Sequence, residues 1–390
     1  METLRVGIVG LGLAATPHLK GYQSHPRAEV SAICDLDEAR ALRFADGHGI
    51  EEVYTDFTDF LEGAEIDIVD IITPTFLHAP MALQAVKEGK HVHCEKPFCR
   101  FTGEGLQVCR AAAKAGVRVA VGETYVFTTA HQRARALIEE GEIGRPLQIR
   151  QRHGDWIERA KPRINTGPID RSWRVDAAKS GGGAYPWIFD HAVHFFAAAE
   201  YFALDEPIAE VYAVRAQRAG IEQQSGAAHD PYQKTEVDIP IITWKYQDEG
   251  VQGVWMRAER LNGKYDYMRG FSTTIVGEHG LIEVLGEGGH NLLWQGKQQH
   301  LVLHSEGQKP RCFRFGEGGD DVWDSDVSYY SQGHINQVRH LVDCIVEDRE
   351  PDYGGEEGVH AVRCTLAAIR SAELGRPVRI EDIAEEYRAY

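Results

Sequence analysis

The chain has 390 residues, 43% of them hydrophobic and 26% charged, and a formal net charge of −17. This length predicts about two domains with ample core, and the negative charge opposes binding to nucleic acid or to an anionic membrane. The sequence has no apolar run of the roughly 20 residues that cross a membrane, and a strand starts too early to leave room for a signal peptide. The seven cysteines have no paired spacing, which predicts reduced thiols and a cytoplasmic location.

The first 124 residues alternate strictly between strands and helices, beginning with a strand. Apolar runs and the amphipathic stretches between them predict these elements at 4–9, 14–24, 29–34, 38–47, 67–72, 76–88, 90–94, 102–115 and 118–122. Such alternation is typical of a parallel sheet with helices on both faces. A ligand site is then expected at the carboxyl ends of the strands.

The pattern changes after residue 124, where strand-like runs come to dominate. A helix at 128–140, a strand at 146–153 and a helix at 187–202 lead into successive strands over 208–304, and helices are predicted at 333–348 and 356–375. Long loops are predicted at 218–234 and 305–330. We therefore expect an α/β protein: a doubly wound Rossmann domain at 1–124, and an α/β domain at 125–390 with a large, mostly antiparallel open sheet.

The first strand runs directly into a glycine-rich turn that favours dinucleotide binding. Gly10 permits the tight turn, Gly12 removes a side chain where the backbone approaches a pyrophosphate, and the small Ala15 lets the helix lie close to the strand. The N-terminus of that helix offers free N–H groups to phosphates. The alternative is a purely structural turn. The residues predicted to contact the cofactor here are Gly10, Gly12, Leu13, Ala14 and Ala15.

Asp35 ends the second predicted strand and indicates which cofactor is preferred. A carboxylate at this position accepts hydrogen bonds from the ribose hydroxyls and repels a 2′-phosphate. No arginine follows before Arg40. NAD is therefore favoured over NADP.

Lys96 lies between Glu95 and Pro97 at the end of a predicted strand. Helical geometry is disfavoured for a residue before proline, and the bond to proline could be cis. Either feature would fix the lysine side chain at the sheet edge. There it could hold or deprotonate a substrate hydroxyl. The alternative is a surface lysine at a strand end.

Asp190 and His194 follow three consecutive glycines at 181–183 and are spaced to share one helix face. An imidazole that accepts a hydroxyl proton near neutral pH, beside a carboxylate, suits alcohol oxidation. The alternative is a solvated helix face. His191 and His194 also have the spacing of a metal pair, but no third or fourth ligand has convincing spacing, so no metal is predicted.

Aromatic and basic side chains surround these motifs in the sequence. Aromatic rings could form a platform for a sugar, with ordinary core aromatics as the alternative. An unusual basic excess at 155–174 could serve an anionic sugar or an interface. The substrate-binding candidates are Tyr125, Trp156, Arg163, Trp173, Arg174, Tyr185, Trp187 and His191, together with Lys96, Asp190 and His194.

These motifs together resemble the glucose–fructose oxidoreductase, inositol dehydrogenase and rhizopine-catabolism (Gfo/Idh/MocA) family. The resemblance spans nearly the whole chain and is most specific at the Glu-Lys-Pro motif and at Asp190 and His194. It differs at 184–187, which resemble an insertion between the glycines and Asp190 that changes the local pocket.

The resemblance implies that Lys96, Asp190 and His194 are catalytic and that Thr73, Pro74, His78 and Glu95 lie on the nicotinamide side. It also implies dimers or tetramers formed through the C-terminal sheet. The expected activity is NAD-dependent oxidation of a hydroxyl of a sugar, glycoside or cyclitol. The alternatives are a glycoside hydrolase or lyase that recycles bound NAD, and a non-catalytic dinucleotide sensor.

Overall fold

The computed structural model describes residues 3–155, 172–217, 237–248, 250–259, 271–285, 298–316 and 329–389. The loop predicted at 218–234 lies outside these ranges. Within them, no helix is both long enough and apolar enough to cross a membrane.

The N-terminal sheet is parallel throughout. Its strands are β1 (Leu4–Val9), β2 (Ala28–Cys34), β3 (Glu52–Tyr54), β4 (Ile68–Ile71), β5 (His91–Glu95) and β6 (Val119–Gly122), and the helices between them are α1 (Ala15–Gln23), α2 (Glu38–His48), α3 (Phe57–Gly63), α4 (Thr75–Lys87) and α5 (Thr102–Ala115). The strand order is β3-β2-β1-β4-β5-β6. The order in which successive strands are added to the sheet reverses between β1 and β4, and dinucleotides bind at this point in doubly wound sheets.

The sequence pattern does not predict β3 or α3, because both are short. β3 has three residues and α3 has seven, too few to show a clear period. The start of α3 is nevertheless capped, since the Asp56 side chain accepts hydrogen bonds from the backbone N–H groups of Thr58 and Asp59 at 2.7 and 3.1 Å.

The second sheet has nine strands in the described residues. They are β7 (Pro146–Asp155), β8 (Ile208–Gln217), β9 (Val237–Tyr246), β10 (Gln252–Glu259), β11 (Phe271–Gly277), β12 (Gly280–Leu285), β13 (Gln298–Ser305), β14 (Arg311–Gly316) and β15 (Val378–Arg379). Their order is β14-β13-β12-β11-β7-β10-β9-β8-β15. Among these neighbours β7 and β10 are the one parallel pair, so the predicted mostly antiparallel sheet is confirmed.

β14 corrects the prediction of a loop over 305–330. Its residues alternate in exposure, with Phe315 buried and Arg314 exposed. This is the period of a half-buried strand, which the surrounding Gly- and Asp-rich composition obscured.

The remaining helices join the two sheets. They are α6 (Thr129–Glu139), α7 (Ala177–Ser180), α8 (Pro186–Phe202), α9 (Tyr329–Val346) and α10 (Gly355–Leu374). α8 is apolar on nearly every side, and 14 of its 17 residues are buried, as expected for a helix enclosed by protein. Two of its polar residues, Asp190 and His194, are therefore held out of water.

α9 returns to the N-terminal sheet although it lies near the end of the chain. Val338, Leu341 and Val342 are buried in the same apolar cluster as Leu19 of α1. The contact with α1 is close, since a Cβ on Gly21 would lie 2.3 Å from Val338 Cγ2. The last helices thereby tie the nucleotide-binding sheet to the rest of the molecule.

Candidate active site

The turn between β1 and α1 has the geometry of a phosphate-binding turn. Gly10 has a φ of 89°, and a Cβ there would lie 2.8 Å from the Ile72 carbonyl, so glycine is required. A Cβ on Gly12 would meet no atom within 4 Å. No side chain caps α1, whose N-cap is Ala14. The open space and the uncapped helix start fit a pyrophosphate.

Asp35 lies at the end of β2 and ties this turn to the sheet. Its Oδ2 accepts a hydrogen bond from the Leu11 backbone N–H at 2.8 Å. Arg40 Nη1 also reaches the carboxylate, at 3.1 and 3.2 Å from its two oxygens. From the sequence, Arg40 was noted only as the first arginine after Asp35, and this contact was not predicted. The first turn of α2 instead brings its guanidinium onto Asp35.

Lys96 joins the two halves of the molecule. Its Nζ donates to the Asp190 backbone carbonyl at 2.9 Å and lies 3.5 Å from Asp190 Oδ1. The other carboxylate oxygen, Oδ2, forms a short ion pair with Arg174. Asp190 is 8% exposed, so a buried carboxylate is held between two cations. Lys96 and Asp190, predicted to act together, are in contact.

His194 is paired with a carboxylate that the motif analysis missed. Its Nδ1 forms a short hydrogen bond with Glu123 Oε1, and both side chains are buried. The Tyr125 ring stacks on the His194 imidazole with centroids 4.8 Å apart, and the Tyr125 backbone N–H donates to Glu123 Oε1 at 3.2 Å. The imidazole is thus fixed on one side by charge and on one face by an aromatic ring.

The start of α4 is connected to the segment after Lys96. The peptide bond between Lys96 and Pro97 is cis. His78 lies between two backbone carbonyls, with Nδ1 at 2.8 Å from Pro97 O and Nε2 at 2.6 Å from Thr73 O. Burial lowers the pKa of His78, and Pro74 is the N-cap of α4.

Glu95 is buried beside histidines from α1 and α9. Its Oε1 lies 3.1 Å from His18 Nε2 and 3.3 Å from His334 Nδ1. Burial alone would raise the carboxyl pKa, but the contacts with both histidines hold it well below its usual range. Glu95 is therefore a buried carboxylate anion next to Lys96.

An aromatic stack lies beside Asp190. The His191 ring stacks on Trp187 with centroids 4.3 Å apart, and Trp187 stacks on Trp255 at 5.7 Å. The Arg257 guanidinium lies 3.6 Å from the Trp187 ring centroid, a cation–π contact. His153 of β7 stacks on Trp187 as well, at 5.5 Å.

Two models of known protein families match the chain. One is described as an oxidoreductase family with an NAD-binding Rossmann fold and matches residues 4–123; the other is its C-terminal alpha/beta domain and matches residues 135–380.

The chain belongs to the Gfo/Idh/MocA oxidoreductase family.

Relatives of this Gfo/Idh/MocA protein cover most of its length. It is 24% identical to the myo-inositol 2-dehydrogenase of Thermotoga maritima, over 97% of this chain and 99% of that one. It is 27% identical to the levoglucosan dehydrogenase of Pseudarthrobacter phenanthrenivorans, over 69% and 70%. A levoglucosan dehydrogenase structure with NADH and L-sorbose has the same fold, with a TM-score of 0.76 at 22% identity and coverages of 97% and 99%.

The family match confirms three predictions for this Gfo/Idh/MocA protein. They are the Rossmann domain followed by an α/β domain, the oxidoreductase class, and NAD as the cofactor. The geometry of the Gly10 turn and of Asp35 is consistent with that cofactor.

The structure brings some predicted substrate-binding residues together and separates others. Lys96, Arg174, Asp190 and His191 form one contiguous group, with Trp173 beneath the Arg174 guanidinium at 4.8 Å. Tyr185 is the N-cap of α8, and the charges that act on it are those of Arg215 and Glu373. Trp156 and Arg163 lie outside the described residues.

Glu123 could have been found from its position in the sequence. It directly follows Gly122, at the carboxyl end of β6, and the carboxyl ends of parallel strands carry the ligand-facing residues. Its partner on α8 is 71 residues away. The spacing gives no indication of that pairing.

Proposed function

We propose that this protein is an NAD-dependent dehydrogenase that oxidises a hydroxyl group of a sugar, glycoside or cyclitol. The observation that carries the proposal is the convergence of Lys96, from the end of β5, on Asp190. His194 lies one helical turn further along the same buried helix. A cation and an imidazole on neighbouring elements are the groups that alcohol oxidation requires.

Each residue has a distinct role in this proposal. His194 accepts the proton of the substrate hydroxyl, and Lys96 stabilises the negative charge that develops on the same oxygen. NAD, when bound, supplies the acceptor for the hydride that leaves the hydroxyl carbon. The residues proposed to hold it are Gly10, Gly12, Leu13, Ala14, Ala15, Asp35, Thr73, Pro74, His78, Glu95 and Lys96.

Glu123 is proposed to orient His194. A carboxylate bound to Nδ1 fixes the imidazole tautomer so that Nε2 is free of its proton, and it stabilises the imidazolium that forms when the proton arrives. The buried position of Glu123 strengthens this interaction. The pair has the relationship of a base and its orienting group.

Asp190 is proposed to position Lys96 rather than to transfer a proton. Its carboxylate lies between Lys96 and Arg174 and contacts both cations. Trp173, Trp187, His191, Tyr125 and Tyr185 are proposed to shape the remainder of the substrate pocket. Aromatic faces of this kind suit the apolar side of a sugar ring.

The substrate class comes from the relatives. The proteins that this chain resembles over most of its length are named as dehydrogenases of myo-inositol and of levoglucosan. Both names describe a ring that bears several hydroxyl groups. A polyhydroxylated ring is therefore the class proposed for this chain.

The proposal is tested by assaying the purified protein with NAD⁺ against a panel of sugars, anhydrosugars and inositols. We expect NADH absorbance with at least one compound, and a loss of roughly 10²–10⁴-fold in Lys96→Ala. Lys179→Ala is the matched control, because Lys179 is a half-exposed lysine on α7 that pairs with Asp176. No turnover across the panel would contradict the dehydrogenase assignment. Release of an aglycone without NADH would favour the recycling hydrolase or lyase.

The protein is further proposed to form dimers or tetramers through the second sheet. Val214, Ile241 and Met256 are direct register neighbours on β8, β9 and β10, and each is more than one-third exposed. Such an apolar row suits an interface. Light scattering on Ile241→Glu should show smaller particles than the unmodified chain, and equal masses would refute this surface as the interface.

The proposed division of the chain places the nucleotide-binding domain at 1–124 and the substrate domain at 125–390. A cytoplasmic location is part of the proposal, since the seven free thiols suit a reducing compartment.

A further inference from the structure

Four buried polar side chains meet between the nucleotide-binding sheet and the C-terminal helices. His18 comes from α1, Glu95 from the end of β5, and His334 and Gln337 from α9. None is more than 8% exposed. Neither the phosphate-binding turn nor the pairing of Lys96 with Asp190 accounts for this group.

The four contacting atoms form a nearly regular tetrahedron. His18 Nε2 lies 3.1 Å from Glu95 Oε1, 3.2 Å from His334 Nδ1 and 3.3 Å from Gln337 Nε2. Glu95 Oε1 lies 3.3 Å from His334 Nδ1 and 3.1 Å from Gln337 Nε2, which is 3.3 Å from His334 Nδ1. The centre of such a tetrahedron is about 2.0 Å from each corner, which is the bond length from Zn²⁺ to nitrogen or oxygen.

Hydrogen bonds cannot account for all six of these distances. Three contacts end on Glu95 Oε1, and N–H groups of His18, His334 and Gln337 can each serve one of them. The other three contacts join nitrogen to nitrogen. Only Gln337 has a second N–H, and it can serve one of these contacts only if the imidazole nitrogen it meets is unprotonated and so does not donate to Glu95. At most three of the six contacts are therefore hydrogen bonds. A cation at the centre would bind all four atoms at once.

The surrounding groups are arranged as they are around protein-bound metals. His18 Nδ1 lies 2.8 Å from Asp70 Oδ2, which fixes the tautomer that leaves Nε2 as a ligand. His93 Nδ1 holds the other Asp70 oxygen at 2.8 Å. The Lys96 backbone N–H donates to Glu95 Oε2 at 3.2 Å, so Oε1 is the oxygen left for the centre. Carboxylate–histidine pairs of this kind orient metal ligands.

The Gln337 side chain gives an independent indication of a bound cation. Its Oε1 is buried and has no hydrogen-bond partner among the residues that the structure describes, which is unusual for a side chain that is 1% exposed. Rotation of the amide by half a turn exchanges its two ends and places Oε1 at the corner of the tetrahedron. An amide oxygen can coordinate a metal, whereas the amide nitrogen cannot.

We propose that His18, Glu95, His334 and Gln337 bind one divalent transition metal ion, with Zn²⁺ as the best match. Two imidazoles and two oxygens at tetrahedral corners suit Zn²⁺. With Zn²⁺ bound and the imidazoles neutral, the charges of Glu95 and Asp70 cancel that of the ion, which avoids a buried net charge. Four protein ligands leave no open position, so the site is structural.

The site would clamp α9 onto the nucleotide-binding sheet. Its ligands come from positions more than 300 residues apart in the chain, so binding would stabilise the folded state against unfolding. Glu95 is also among the residues proposed to hold NAD. The readouts of this inference, metal content and spectroscopy, do not depend on dehydrogenase activity.

The test uses full-length protein purified without a metal-affinity tag. Elemental mass spectrometry should find about one metal ion per chain. After removal of the metal by a chelator, Co²⁺ should restore a tetrahedral visible absorption spectrum. Gln337→Leu and His334→Phe should each weaken the binding of Zn²⁺ by roughly tenfold or more, and Asp70→Asn, which removes the support of His18, by roughly 10–100-fold.

His25→Gln is the matched control variant. His25 is also a buried histidine, and its Nε2 lies 2.9 Å from a carboxylate oxygen of Asp343. This variant should keep its metal and its Co²⁺ spectrum. The proposal would be overturned if the purified protein contains no metal and its Co²⁺ complex has an octahedral spectrum. It would also be overturned if Gln337→Leu binds Zn²⁺ as tightly as the unmodified protein does. If the variants fail to fold, the Co²⁺ spectrum of the unmodified protein still decides, because a closed four-ligand site requires tetrahedral absorption.

Discussion

Replacing Glu123 with glutamine should lower turnover while leaving the fold and the cofactor site intact. Glu123 and His194 are both buried and share a short hydrogen bond. If His194 takes the proton of the substrate, the imidazolium that forms is stabilised by a full negative charge. The amide of Glu123→Gln has nearly the same shape but no charge.

The size of the effect follows from the hydrogen bond that is lost. A hydrogen bond to a charged group contributes about 1.5–3 kcal/mol, and each 1.36 kcal/mol is a factor of about ten in rate. We therefore expect kcat to fall roughly 10- to 150-fold. KM for the substrate and the Kd for NAD should change little, because the interaction grows only as the proton is transferred.

The assay is steady-state NADH formation measured as a function of pH. Glu200→Gln is the matched control. Glu200 lies on α8, as His194 does, and it also accepts a hydrogen bond from a histidine, His360 of α10, at 2.7 Å. That variant should retain the kcat of the unmodified protein. If Glu123→Gln retains full kcat and the same pH profile, His194 does not gain charge during turnover and its proposed role is wrong.

Three further predictions concern the cofactor, the catalytic pair and acid stability. Asp35→Ala should narrow the preference for NAD⁺ over NADP⁺, because it releases Arg40 to contact a 2′-phosphate. Adding Arg40→Ala should reverse the gain in NADP⁺ affinity, as measured by the Kd values for NAD⁺ and NADP⁺. His194→Ala and Lys96→Ala should each lower kcat by roughly 10²–10⁴-fold, and the double variant should be far less than multiplicatively worse; simple multiplication would show that they act independently. Burial and the Arg257 charge lower the pKa of His153 from 6.5 to about 3, so the folded state resists a proton that the unfolded state accepts, and stability falls as pH drops below 6.5. At about pH 5, His153→Gln should avoid up to about 2 kcal/mol of this loss in the free energy of unfolding. The measurement is urea unfolding of both proteins at about pH 5 and about pH 8. If the variant and the unmodified protein lose the same stability between these pH values, the pKa of His153 is not lowered.

The sequence was informative wherever function depends on residues close together in the chain. The turn at Gly10 and the acid at Asp35 follow one another within a single strand–helix–strand unit, so their spacing alone predicts a cofactor. Asp190 and His194 share a helix, and the helical period places them on one face. Strand and helix alternation likewise predicts the parallel sheet, because it follows from local hydrophobic patterns.

Short elements and long-range pairings were not predictable in this way. The sequence pattern does not predict β3, because three residues show no period. It does not predict β14, because the turn-like composition around this strand masks a real period. The contact of Arg40 with Asp35 was not predicted, because a linear count of residues does not show that the first turn of α2 brings the guanidinium onto this carboxylate.

Sequence alone thus determined the fold class, the cofactor and the residue types available for chemistry, since local spacing encodes all three. Only the tertiary structure decided which groups meet. Glu123 reaches His194 across 71 positions, and His18 meets His334 across 316. These pairs form because strand ends of one sheet and helices from distant parts of the chain are packed around the same buried space, where a polar group must find a partner.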